Sequence, residues 1–285
     1  MIMRKSSIAL VLFSFPITAH AQNAVDDFRR NMMGNLAGYD QGHIPSSKTD
    51  NQAPPDNGGV YLKHALDVPT TPNAVTQAPV VGLTIGMPAV EAEKILGRYC
   101  NHPAGIKYQT LGLSYKGIDV KTQPFVSKLT CSSDNDSLSV DISPPVAGTT
   151  VTKIDREVSY PADKSPHFAD FQAEILKKYN IHLPVAMPNQ PAIVAQYILK
   201  DKTTSEKING RPIDIDDTSD AFSQTVQSYL RITANVIPEN PTSMSEFTIS
   251  SANPGDATVI SNEIIKQLKA FVDEKLSNSN VKTVL

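Results

Sequence analysis

The stretch YLRITANV, residues 229–236, sets Leu230, Ile232, Ala234 and Val236 in strict alternation against Tyr229, Arg231, Thr233 and Asn235. Successive side chains of a strand point to opposite sides, so this period of two predicts a sheet with one buried face. Phe247 and Ile249, beyond the segment PENPTSM read as a turn, predict a partner strand. Working outward, SLSVDIS at 137–143 alternates in the same way through Leu138, Val140 and Ile142. TLGLSYK at 110–116, FVSKLTC at 125–131, residues 151–160 (with Ile154, Val158 and Tyr160 on one face) and residues 193–199 complete the strand-like segments. The links between consecutive strands are too short for crossover helices, so antiparallel pairing is expected.

Three segments carry the helical period instead. Met87-Pro88 leads into AVEAEKILGRYC, where Ala92, Ile95 and Leu96 share a face. Ser165-Pro166 reads as an N-cap hydroxyl before a first-turn proline, followed by the stripe Phe168, Phe171, Ile175 and Tyr179, with Asn180 as the stop. Asp256 opens a long helix through Ile260, Ile264, Leu268 and Phe271, and the chain from Ser277 onward reads as a loose tail. The class that follows is α+β, an antiparallel sheet with helices packed on one face, as one composite domain or two small subdomains.

At the other end, Arg4 and Lys5, the apolar run IALVLFSFPI and Ala19-His20-Ala21 form the three-part layout of an export signal, with cleavage expected after Ala21. Ten apolar residues rise about 15 Å as a helix, about half a bilayer core, so no membrane span is expected. The expected location is a bacterial periplasm. Residues 22–79 read as a flexible segment rich in Asn, Pro, Ser and Thr. Within it Val25, Phe28, Met32 and Leu36 allow one short amphipathic helix over 24–37, docked on its own domain or free as a partner-binding arm. Residues 80–184 form an α+β module, 185–278 a second module or a continuation of the same sheet, and 279–285 the tail.

The two cysteines, Cys100 and Cys131, read as a disulfide in an exported protein. The rival, a metal held by Cys100, His102 and Cys131, falls one ligand short of a structural zinc site, so no metal and no cofactor are expected. The net charge is −3 and becomes −5 once Arg4 and Lys5 leave with the signal, which argues against a broad nucleic-acid face. There is no tryptophan for a sugar groove or a base-stacking platform.

Chemistry is harder to find. Ser165, His167 and Asp170 are the residue types of a hydrolase, but their spacing on a helix does not make a triad. His102 and His182 have no partner readable from spacing. The acidic run Asp214, Asp216, Asp217 and Asp220 invites calcium, yet it lacks the glycine and distal glutamate of an EF-hand and reads more simply as a solvated loop. Lys177-Lys178 and Lys200 with Lys202 read as solvated faces. No phosphate-cradling or dinucleotide loop is present, and no catalytic residue is assigned.

VGLTIGMPAVEAEKILG, 81–97, resembles the opening signature of small bacterial envelope modules, in which a strand-like lead and a Gly-Met turn precede a helix. Gly86, Met87, Glu91, Ile95, Leu96 and Gly97 carry the likeness to outer-membrane assembly lipoproteins of the SmpA/OmlA (BamE-like) kind and to the related β-lactamase-inhibitor-protein-like fold. FADFQAEILKKYNIHLP, 168–184, is similar to a pattern in uncharacterised proteobacterial envelope proteins, with Asn180 where those carry glycine. No cysteine follows the expected cleavage site to carry the lipid of the lipoproteins. The resemblance implies helices against an antiparallel sheet, a protein-contact function and no catalytic residue. The expected function is therefore an exported, non-catalytic protein that binds an envelope protein partner. The alternatives are an inhibitor or immunity-type protein, with 22–80 as an insertion arm, and a hydrolase using His167.

Overall fold

A computed structural model describes residues 58–67, 73, 75–200, 226–253, 255 and 257–280, with the short pieces 204–205, 207–208 and 211–212. The expected signal at 1–21, the helix at 24–37 and the acidic run at 214–220 lie outside the described residues.

The class is α+β. Helix α1 (Ala89–Cys100) is followed by β1 (Gly105–Gln109), β2 (Gly112–Tyr115), β3 (Ile118–Lys121), β4 (Phe125–Ser132), β5 (Asp136–Ile142) and β6 (Val151–Ser159). Next come α2 (Phe168–Tyr179), β7 (Ala192–Leu199), the two-residue strands β8 (Thr204–Ser205), β9 (Lys207–Ile208) and β10 (Arg211–Pro212), then β11 (Val226–Ile237), β12 (Asn240–Ala252) and α3 (Ala257–Asn280). Eight strands form one sheet in the order β1-β4-β5-β6-β12-β11-β7-β8, every pair antiparallel. The β12–β6 pairing runs from Glu246 opposite Ser159 to Ala252 opposite Lys153, so the sheet continues from 80–184 into the later part of the chain.

One face of this sheet is apolar and covered. Leu129, Leu138, Val140, Ile154, Phe247, Ile249, Leu230 and Ile232 lie in one buried cluster with Ala92 and Leu96 of α1 and Phe168 and Ile175 of α2. Burying aliphatic side chains of this size is worth about 1.5–3 kcal/mol each. Gly86, at φ 84°, makes the turn into α1, and its N–H donates to the Val151 carbonyl. A side chain at that φ is strained, which is why glycine stands there. Asn180 ends α2 in the left-handed conformation, its N–H donating to the Leu176 carbonyl.

Several local expectations change. The segment 110–116 holds β2, but β2 pairs only with β3 in a separate hairpin, whose two-residue loop Lys116-Gly117 has positive φ at both positions. Helix α2 starts at Phe168 rather than at Ser165-Pro166. The reason is tertiary: the Pro166 carbonyl accepts the Met244 N–H and His167 pairs with Ser243, so these residues stay extended beside β12. Pro241 to Met244, read as turn, already belong to β12. Helix α3 continues past Ser277 to Asn280.

The third helix also departs from the expected single helical layer. α3 buries Ile260, Ile264, Leu268 and Val272 in a second core, with Leu113 and Val120 of the β2–β3 hairpin, Val146 and Ala147 of a short turn, and Val60 and Leu62. Residues 58–67, inside the stretch read as flexible, are therefore laid against the body.

Candidate interaction site

The alternation that builds the sheet also puts charge on its covered face. On β6, Ile154, Arg156 and Val158 point the same way, and on β5 Asp136 is two residues from Leu138. Helix α1 lies over β4 and α2 over β12, so β5 and β6 form the floor of the seam between the helices. A guanidinium on such a floor needs a partner, because a buried unpaired charge is prohibitive.

Asp136 supplies it. Arg156 Nη2 donates to Asp136 Oδ2 at 2.6 Å, and Nε donates to both carboxylate oxygens at 3.2 Å. Tyr99, in the last turn of α1, closes the triangle: its hydroxyl accepts from Arg156 Nη2 at 2.8 Å and donates to Asp136 Oδ2 at 2.6 Å. The guanidinium lies 5.7 Å from the Tyr99 ring centre and 5.3 Å from that of Phe247. Phe171 of α2 stacks on Phe247 at 4.9 Å and Tyr160 stands at 6.2 Å.

The electrostatics follow from partial burial. Burial raises the Tyr99 phenol, and its bond to Asp136 raises it further, while Arg156 works against both. Arg156 stays above its ordinary value because Asp136 overcomes the effect of burial. Burial pushes the Tyr179 phenol up to about 12. Lys178, exposed as its sequence reading expects, lies 5.2 Å over the Tyr179 ring. Its ammonium is held below the ordinary range by burial and then by the charge of Arg156. At the open rim of the seam stands Tyr99, 40% exposed.

The opposite face of the sheet carries a second ionic group. Lys128 and Lys153 flank the buried Asp141 on neighbouring strands, with Lys128 Nζ 3.2 Å from Asp141 Oδ1 and Lys153 Nζ 3.0 Å from Asp155 Oδ2. Burial raises the Asp141 carboxyl, opposed by Lys128 and Lys153. Burial would lower Lys153, but Tyr229, Asp155 and Asp141 hold it above its ordinary value. This group is a cross-strand ladder of alternating charge, with each member already paired.

Cys100 and Cys131 form a disulfide that ties the end of α1 to β4, their Cα atoms 6.2 Å apart. His102 lies beside it without turning toward it. Its Nδ1 is 2.9 Å from the Pro103 carbonyl and its Nε2 3.0 Å from the Ser132 carbonyl, which suits an imidazolium donating twice. These carbonyls, Ser132 first, raise its pKa above 6.5.

Ser165, His167 and Asp170 are not brought together as a nucleophile, base and acid. The Ser165 hydroxyl donates to the Pro161 carbonyl, while His167 and Asp170 are exposed at the start of α2. His182 and Lys200 are exposed too. Among the described residues no three His, Cys, Asp or Glu side chains are grouped as metal ligands. No described helix is long and apolar enough to cross a membrane.

Sequence reasoning missed Arg156, Asp136 and Tyr99. The signal was available in the first two: a charge at an inward position of an alternating strand. Comparison of the chain with protein-family models, with curated proteins and with solved structures finds no match.

Proposed function

We propose that this chain is an exported, non-catalytic protein of a bacterial cell envelope that acts by holding another envelope protein at the seam between α1 and α2. One observation carries the reading. Arg156 lies over the rings of Phe247, against which Phe171 packs, and of Tyr99, while Lys178 lies over Tyr179 at the rim, and tyrosine and arginine on a partly desolvated floor are residue types that dominate protein interfaces. The export-signal layout at the N-terminus supports the location, and the Cys100–Cys131 disulfide fits an oxidising compartment. The resemblance of 81–97 to envelope modules points the same way.

The arrangement suits contact better than chemistry. Arg156 already has its counter-charge in Asp136, so the seam offers a rigid platform rather than a free acid or base. Tyr99 and Lys178 remain at the rim to meet a partner.

The test is a rim substitution that leaves the Tyr99–Arg156–Asp136 triangle intact, Lys178→Glu. Recovery of the native complex from cross-linked cell envelopes should fall at least tenfold, the scale of losing one interface anchor, with the thermal midpoint little changed. A purified mature protein that turns over a substrate without any partner would overturn the proposal.

A further inference from the structure

The last turn of α1 is held from outside the helix. The residues that α1 buries, Ala89, Ala92 and Leu96, all precede that turn. The turn itself is Gly97-Arg98-Tyr99-Cys100, in which glycine is a poor helix former. Arg98 and Tyr99 are exposed, and Asn101 closes the helix in the left-handed conformation. A helix end of this kind frays unless something ties it down. Cys100 supplies the tie through its bond to Cys131.

The tie falls in the row of the sheet that carries Arg156. Cys131 of β4 stands directly opposite Leu138 of β5, and Leu138 directly opposite Arg156 of β6. Two strand spacings, about 10 Å, therefore separate the anchored position from Arg156. Tyr99, the residue before the anchor, crosses that interval, its hydroxyl meeting Arg156 Nη2 at 2.8 Å and Asp136 Oδ2 at 2.6 Å. Arg156 and Asp136 need no help from α1, since both sit on paired strands and bond each other directly. Tyr99 does need it, because hydrogen bonds at a partly exposed rim are individually small. The next contact along the chain, His102 Nε2 at 3.0 Å from the Ser132 carbonyl, is on the surface and beyond the end of the helix.

We infer that the Cys100–Cys131 bond is a positioning element of the seam, and that the site is completed only when this bond forms. In the disulfide form Tyr99 is held over Arg156 and Asp136. In the dithiol form the last turn of α1 frays and Tyr99 leaves the rim, while the Asp136–Arg156 pair stays. Forming the bond takes two electrons and two protons from the two thiols and passes them to an external disulfide, which departs as a dithiol. Oxidising conditions of that kind belong to compartments outside the cytoplasm, so a chain not yet exported carries an unfinished site. The inference deepens the reading of the seam and, as far as the partner is concerned, rests on it.

The test compares the full mature chain in its disulfide form with the Cys100→Ser, Cys131→Ser double variant. Amides at positions 98–100 should exchange about tenfold faster in the variant, while those at positions 92–96 and in β5 keep their protection relative to one another. Ile232→Ala, a cavity on β11 away from α1, lowers global stability without touching the tie and should leave exchange at 98–100 in step with the rest of the helix. Recovery of the cross-linked envelope complex, normalised to the amount of chain, should fall about tenfold for the double variant and stay unchanged for Ile232→Ala. Unchanged protection at 98–100 in the double variant overturns the inference, whatever the partner does. Lost protection with full recovery of the complex overturns the part of Tyr99 in the site. A wild-type chain that yields no complex overturns the seam reading instead, and exchange still decides whether the bond positions Tyr99. Should the double variant not fold, Cys100→Ala with Cys131→Val, which refills the buried position, takes its place. If neither folds, the bond carries the whole fold rather than Tyr99, and the inference is overturned.

Discussion

A charge on the inward face of a strand obliges the fold to supply its counter-charge, and Asp136 does so for Arg156 at 2.6 Å. Removing one partner leaves the other desolvated and unpaired. Asp136→Ala is therefore expected to cost roughly 2 kcal/mol in chemical denaturation, below the 3–5 kcal/mol of fully buried pairs because both groups keep some solvent. Arg156→Met in the same chain should restore part of that loss. His102 gives a second prediction at this scale. Its pKa is raised in the folded state by the Ser132 and Pro103 carbonyls, so its contribution is fully present below 6.5 and is lost as pH rises through the folded value. Stability measured from pH 5.5 to 8.5 should fall across this window, and His102→Asn should flatten the fall. Arg156 was legible as a charge among Ile154 and Val158, whereas Tyr99 was not, because its role depends on where α1 crosses the sheet.

At the scale of elements, helix and strand identity followed from periodicity, and boundaries failed where tertiary pairing intervened. Helix α1 begins after Pro88 as its sequence implies, because the Gly86 turn and the helical stripe agree. Helix α2 does not begin at Ser165-Pro166, because β12 claims the backbone of Pro166 and His167. The β2–β3 hairpin was hidden by its Lys-Gly turn, a weaker signal than Asn-Gly or Asp-Gly. The strip at 58–67 was hidden by its setting, since its two buried anchors, Val60 and Leu62, belong to a short apolar run inside a longer stretch rich in Asn, Pro, Ser and Thr. Two elements hold testable energy. Cys100→Ser with Cys131→Ser removes the tie between α1 and β4, and should lower stability by roughly 3 kcal/mol on the chain-entropy model. Leu96→Ala, at a fully buried position of α1, should cost about 2–5 kcal/mol in the same assay.

The whole molecule is joined by the pairing of β6 with β12, whose facing residues Arg156 and Ile249 are far apart in sequence. Alternation identifies both strands but carries no information on which strand neighbours which, so either two modules or one sheet satisfied the sequence. With one buried cluster extending from Leu129 to Ile249, unfolding should be a single cooperative transition. Far-ultraviolet dichroism and tyrosine fluorescence should therefore coincide along a denaturant series, and separated transitions would mean that the two halves fold independently. The central claim, that the seam between α1 and α2 is where a partner docks, is tested most directly by photo-cross-linking in living cells. A photoreactive amino acid is placed at Tyr99 and, as a control, at exposed Asp119 of the hairpin. The claim predicts one dominant adduct with an envelope protein from position 99 and none from position 119. Equal labelling from both positions, or none from position 99 in a correctly folded chain, would contradict it.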